Sequence, residues 1–182
     1  TSETKSISTA KAHMYNNKTP SIKFKTLGVN EISIAYREAG NPKNPTIVLL
    51  HGFPASSFQY RKVLNELSDE YHLIAPDYPG FGNSDFPSSE TFTYTFDNIA
   101  TVVNLFLEQK KIDSYAIMIQ DYGAPIGFRL ATAHPERITA IINQNGNAYE
   151  EGLGDAWEGI RELWKNRNKQ TEDALLPAFS LE

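Results

Sequence analysis

The 182-residue sequence contains no cysteine. That excludes disulfide bridges, thiolate metal sites and a cysteine nucleophile, and leaves the compartment open. Long apolar runs are missing too, so no segment is expected to span a bilayer. Positive charge is not in excess: 17 Lys+Arg stand against 22 Asp+Glu, a net charge of -5. Neither nucleic acid nor an anionic membrane is therefore an expected partner. No cluster of side chains has metal-ligand spacing, and no Gly-rich loop is set to cradle phosphate. The expected cofactor is none. An initiator Met and the apolar core of a signal peptide are also lacking, and the chain starts at Thr1. The reading is of a soluble chain, cytoplasmic rather than exported, from which an initiator or a longer leader has been removed.

What remains is ordinary for a globular domain with a real core: 40% hydrophobic and 21% charged residues. Residues 1–20 are polar, rich in Ser, Thr, Lys and Asn, and read as a loose tail carrying one sequon, Asn17-Lys18-Thr19. Ser21 to Lys25 and Ile32 to Tyr36 alternate apolar and polar around Gly28-Val29-Asn30, which predicts an antiparallel hairpin with one solvated face. Thr46 to Leu50 is a continuous apolar run, the mark of a strand buried on both faces. Tyr60, Val63, Leu64 and Leu67 follow helical spacing, with Ser56 or Ser57 as cap. Tyr71 to Ala75 is a further short strand, and Pro79 to Ser84 a loop.

Ile99, Val102, Val103, Phe106 and Leu107 form an amphipathic stripe, so a helix is predicted over about 95–110. Tyr115 to Ile119 and Ile138 to Ile142 read as two more buried strands. Between them lies a helix with Pro125 in its first turn, ending near His134-Pro135. Strand and helix alternate after the hairpin, which means an α/β fold with a mostly parallel sheet and helices on both faces. After Asn147 the pattern turns helical, with Trp157 and Trp164 spaced on one face.

Two turns carry chemistry. Ile117 to Gln120 is β-rich and passes at once through Asp121-Tyr122-Gly123 into a helical pattern. A sharp strand-to-helix turn of this kind pushes the side chain at its apex, Asp121, over the carboxyl end of the sheet, where substrates bind. A plain helix-capping acid is the simpler alternative for Asp121. His51-Gly52-Phe53-Pro54 follows the buried strand 46–50. Gly52 permits a tight turn that aims an N–H above the sheet. The backbone N–H groups of Phe53 and Tyr122 are then the natural oxyanion hole, the alternative being an ordinary strand-ending turn. Asp77 and Asp85 flank the Pro79–Ser84 loop and are expected to bond their own turns. Trp157 and Trp164 either line an apolar substrate cavity or pack on each other; the sequence leaves both open.

Those motifs together resemble a known superfamily. His51-Gly52-Phe53-Pro54, Ala75 to Asp85 (APDYPGFGNSD) and Gln120-Asp121-Tyr122-Gly123 look like the α/β-hydrolases, in the branch of epoxide hydrolases and haloalkane dehalogenases. The resemblance covers about residues 22–147 as core, and 148–182 is similar to the start of a helical lid. The domain reading is thus 1–20 tail, 21–147 core and 148–182 lid. The resemblance implies Asp121 as a carboxylate nucleophile where most of the superfamily has Ser. It would attack an electrophilic sp³ carbon, and water would then hydrolyse the alkyl-enzyme ester within the oxyanion hole. His51, Phe53, Tyr122, Trp157 and Trp164 are the expected substrate-contacting residues, and the partners a small apolar electrophile and water.

His-Gly-Phe-Pro is more like epoxide hydrolases, Gln120 more like haloalkane dehalogenases. The usual halide donors of the latter, Asn after His-Gly and Trp after the nucleophile, are Phe53 and Tyr122 here. Ile119 and Ala124 depart in turn from the small-residue pattern of many epoxide hydrolases. The resemblance also implies a downstream acid and a late His as general base. His13, His51, His72 and His134 do not fit that role; His134 is expected at the far end of the helix that Asp121 begins, roughly 15 Å away. The base and its acid are therefore expected outside residues 1–182, on a C-terminal remainder. A non-catalytic binding protein on the same fold is the second reading.

Overall fold

The structure is a computed structural model that describes residues 22–179. The expected tail over 1–20, with Asn17-Lys18-Thr19 and His13, lies outside the described residues. Six strands form one sheet in the order β1-β2-β4-β3-β5-β6. They are β1 Lys23–Val29, β2 Ile32–Ala39, β3 Thr46–Leu50, β4 His72–Pro76, β5 Tyr115–Gln120 and β6 Ile138–Gln144. β1 pairs antiparallel with β2, and β2 antiparallel with β4; the remaining pairs are parallel. Parallel neighbours need crossovers, and three helices supply them: α1 Arg61–Leu67, α2 Phe96–Gln109 and α3 Gly123–Ala133.

The expected α/β layering is present, with helices on both faces. On one face α2 and α3 lay Val103, Phe106, Leu107, Ile126 and Leu130 over Val48, Leu50, Ile117 and Ile119. On the other, α1 places Leu64 against Ile47, Leu49, Leu73 and Ala75, behind Tyr60. Burial of each large apolar side chain contributes about 1.5–3 kcal/mol, so these two layers dominate stability. Thr95 caps α2, its side chain accepting from the Asn98 N–H at 3.2 Å. After β6 the chain forms α4 Glu158–Lys165 and α5 Lys169–Phe179.

Three expectations need correction. The hairpin turns at Asn30, which takes φ 53°, while Gly28 stays in β1 opposite Ser33. β2 extends to Ala39 and is not solvated on one face: Ile34 to Ala39 are buried, Arg37 and Glu38 included, because Phe106 and Lys110 cover Tyr36 and Glu38 on one face while Phe24, Ser57 and Phe58 surround Arg37 on the other. β6 is not buried. Thr139 to Gln144 are exposed, because β6 is the outermost strand and no element described here covers it. The Ile-rich run was sufficient for a strand but carries no information about what packs on it.

Candidate active site

The carboxyl ends of β3 and β5 lie side by side, in register from Ile47↔Ala116 to Leu50↔Ile119. The turns that leave them therefore meet. β5 ends at Gln120, and Asp121 follows at φ 49°, the left-handed region that a non-glycine residue adopts only under constraint. Tyr122 returns to helical angles, φ -58° and ψ -22°, and α3 begins. The leading N–H groups of that helix have no carbonyl partner within it and point toward the turn. The reversal needs glycine behind it: a Cβ at Gly123 would overlap the Leu50 carbonyl oxygen.

Across the gap, the Phe53 N–H donates to Asp121 Oδ1 at 2.7 Å. The first member of the expected donor pair thus faces the expected nucleophile. Gly52 is the close-approach position, where an added Cβ would lie 2.6 Å from Asp121 Cβ. The turn is held from below. Tyr60 donates to the Leu50 carbonyl at 2.8 Å, Tyr78 to the His51 carbonyl at 2.9 Å, and the Ala55 N–H to the Gly52 carbonyl at 3.0 Å.

His51 is fully buried and stacks on Tyr78, with ring centroids 4.0 Å apart. Burial pushes its imidazole below the ordinary value, partly offset by the Gly52 carbonyl and Asp77. His51 Nδ1 lies 2.9 Å from the Gly52 carbonyl oxygen. It is a buttress of the turn. Over the site, Tyr122 packs against Phe53 and Phe96 with centroids 5.3 and 5.1 Å apart, and Phe81 meets both His51 and Phe53. These rings make an apolar rim. Burial, and then the Asp121 charge, push the Tyr122 phenol above its ordinary value.

Trp157 and Trp164 lie in the helical segment after β6. They pack on each other, centroids 6.1 Å apart, and Trp164 remains 55% exposed. His72 bonds Glu38 and Thr46 at the start of β4, and His134 is the C-terminal cap of α3. Asp77 takes the structural part expected of it: Oδ1 accepts from the Ser57 N–H at 2.6 Å and Oδ2 from the Asn83 N–H at 2.9 Å. Asp85 departs from the expectation: its carboxylate accepts not from its own turn but from the Ser33 N–H of β2 at 2.7 Å, which ties the loop to the sheet. Among the described residues, no three His, Asp or Glu could hold a metal ion together, and no helix is long and apolar enough to cross a membrane.

One residue escaped the sequence reading. Gln59, in the 3-10 turn Ser57–Tyr60, donates from Nε2 to Gln120 Oε1 at 3.0 Å, while its Oε1 accepts from the Gly52 N–H at 3.4 Å. A lone polar residue in a short turn has no periodic signal, and its partner is 61 positions away.

The order of these turns on this sheet agrees with a family model described as the alpha/beta hydrolase fold, which matches residues 45–176. The chain belongs to the α/β-hydrolase family. An uncharacterized hydrolase of Saccharomyces cerevisiae is 48% identical over 136 residues, covering 74% of this chain and 46% of the yeast protein. Haloalkane dehalogenase 2 of Mycobacterium tuberculosis is 39% identical over 113 residues, covering 62% of this chain and 35% of its own. Among solved structures, an epoxide hydrolase of Vigna radiata superposes with a TM-score of 0.62 at 28% identity, covering 67% of this chain and 38% of that one. The chain thus spans about half, or less, of the length of these α/β-hydrolases.

Proposed function

We propose that this chain carries the nucleophile half of an α/β-hydrolase active site that opens small apolar electrophiles, epoxides first, through an ester on Asp121. The observation that carries the reading is Asp121 at φ 49° facing the Phe53 N–H at 2.7 Å. A carboxylate is ionised at neutral pH and needs no base to attack carbon. Attack by an Asp121 oxygen forms a C–O bond and opens the epoxide C–O bond, leaving an alkoxide that takes up a proton. Water then attacks the Asp121 carbonyl carbon. The oxyanion that develops is held by the N–H groups of Phe53 and Tyr122, and collapse releases a diol and regenerates the carboxylate.

The general base that activates this water, and its acid partner, belong to the remainder of the full-length protein. The three described histidines are engaged elsewhere: His51 below the turn, His72 with Glu38, and His134 at the end of α3. The aromatic rim suits an apolar substrate. Trp157 and Trp164 are proposed to contact it from the lid. Asp121→Asn in the full-length protein should abolish diol formation while the thermal transition stays in place; full activity in that variant would end the proposal.

A haloalkane is the second reading, favoured by the dehalogenase named above and by Gln120 ahead of the nucleophile. The first step would then expel halide, which needs donors facing the leaving group. Phe53 and Tyr122 bring no indole or amide N–H from their side chains to that place. Assays of diol and of halide on the same preparation separate the two readings.

A further inference from the structure

We propose that Gln59 is a positioning residue for the oxyanion hole, acting as a carboxamide clamp between the turn after β3 and the residue before Asp121. The inference rests on the reading of Asp121 as a nucleophile and concerns the second step, hydrolysis of its ester. The clamp has two ends. Nε2 donates to Gln120 Oε1 at 3.0 Å, and Oε1 accepts from the Gly52 N–H at 3.4 Å. Gly52 and Gln120 immediately precede Phe53 and Asp121, the two residues joined by the 2.7 Å hydrogen bond over the sheet. One side chain therefore reaches both halves of the candidate site, one residue away from Phe53 and from Asp121.

Its own seat is rigid. Gln59 lies in the turn Ser57–Tyr60, whose first N–H is held by the buried Asp77 carboxylate at 2.6 Å. The Phe58 N–H is capped by Ser56, and Tyr60 is anchored on the Leu50 carbonyl. The Gln59 and Gln120 side chains line a cavity of 430 Å³ with Phe53, Tyr60 and Met118. Both side chains are only partly buried, and the amide hydrogen bond joins them. Gln120 projects to the α1 side of β5, because it alternates with Ile119, whose side chain is buried under α2 and α3. The hydrogen bonds of the clamp go to the two turns.

The Phe53 and Tyr122 N–H groups act where negative charge develops on the Asp121 carbonyl oxygen, which is ester hydrolysis; in the attack on carbon the charge moves off Asp121 to the epoxide oxygen. Loosening the Gly52-Phe53 turn should slow the second step and spare the first. In the full-length protein, Gln59→Leu is expected to lower kcat about 10-fold, because misplacement of such groups by a fraction of an ångström is felt at this scale. kcat/KM should stay within about twofold, since it reports steps up to ester formation. The Asp121 ester should accumulate during turnover, seen as added mass on the intact protein after an acid quench.

Gln120→Leu removes the partner end and should do the same, and the double variant should be no slower than the slower single one. That pattern also covers the case in which Gln59→Leu folds poorly, because Gln120→Leu reads the same bond. Equal losses in kcat and kcat/KM, or wild-type hydrolysis of the ester, would overturn the role of Gln59 alone. Absence of any Asp121 ester in the wild-type protein would overturn the nucleophile reading, and this proposal with it.

Discussion

At the scale of the residue, the site is decided by close approach. Asp121 occupies a left-handed backbone conformation, and it is tolerated because β5 before it and α3 after it are both held by the core. Gly52 faces it with no room for a methyl group: a Cβ there would lie 2.6 Å from Asp121 Cβ and 2.9 Å from Oδ1. Gly28, by contrast, has nothing within 4 Å of an added Cβ. Gly52→Ala should therefore lower kcat about 100-fold, with little change in circular dichroism, because it displaces the turn and not the sheet. Gly28→Ala should leave activity unchanged. Comparable rates in the two variants would show that the Gly52 contact does not position the turn.

At the scale of the element, the carboxyl-end turns sit on a sheet tied together at its other end by charge. Glu38 on β2 accepts from Lys25 on β1 at 2.5 Å, His72 on β4 at 2.9 Å and Lys110 after α2 at 3.1 Å. Burial by itself would raise the Glu38 carboxyl, but hydrogen bonds from Lys25, His72 and Lys110 outweigh it and hold the group at about 2. That lies below its ordinary 4.5, so the stabilisation is fully present above pH 4.5 and is lost as the pH falls through about 2. Urea melts across that window should show a falling midpoint, and Glu38→Gln should flatten the slope. An unchanged slope in the variant would assign the acid sensitivity elsewhere.

This cluster was illegible in the sequence. Alternation in β2 suggested a solvated face, but partners distant in sequence bury it: Ser57 and Phe58 on Arg37, His72 and Lys110 on Glu38. The elements themselves were legible where period and composition agreed. Thr46–Leu50 announced a buried strand and the Ile99–Leu107 stripe a helix, because each has a packed face that a repeating pattern can encode; Tyr115–Ile119 announced a strand, but only its Tyr115, Ile117 and Ile119 face is buried, Ala116 and Met118 being partly exposed. The two chemical turns were legible for a related reason: Gly52 and Gly123 stand where the backbone has no alternative. Gln59 was not, because a contact between two distant amides leaves no mark in either neighbourhood.

At the scale of the whole molecule, the sheet is asymmetric. β1 and β2 end it antiparallel on one side, while on the other no strand among the described residues pairs with the outer edge of β6. Ile141 and Ile142 on β6 are 44% and 45% exposed. An apolar edge strand with free backbone groups invites pairing with another chain. The 182-residue chain should therefore associate as its concentration rises, measured by light scattering, and Ile142→Lys should suppress it. A monomer at all concentrations would contradict this account of the edge. The site described here has the strained Asp121 turn, the Phe53 N–H held against it and an apolar rim.

The most direct test of the central claim is a single turnover of an epoxide by the full-length protein in heavy-oxygen water, with enzyme in excess. If Asp121 attacks carbon, the oxygen delivered to the first product comes from the carboxylate. The diol is then light, and the heavy atom is found in the peptide containing Asp121. A heavy diol with an unlabelled Asp121 would mean that water attacks the substrate directly, and the nucleophile assignment would be wrong.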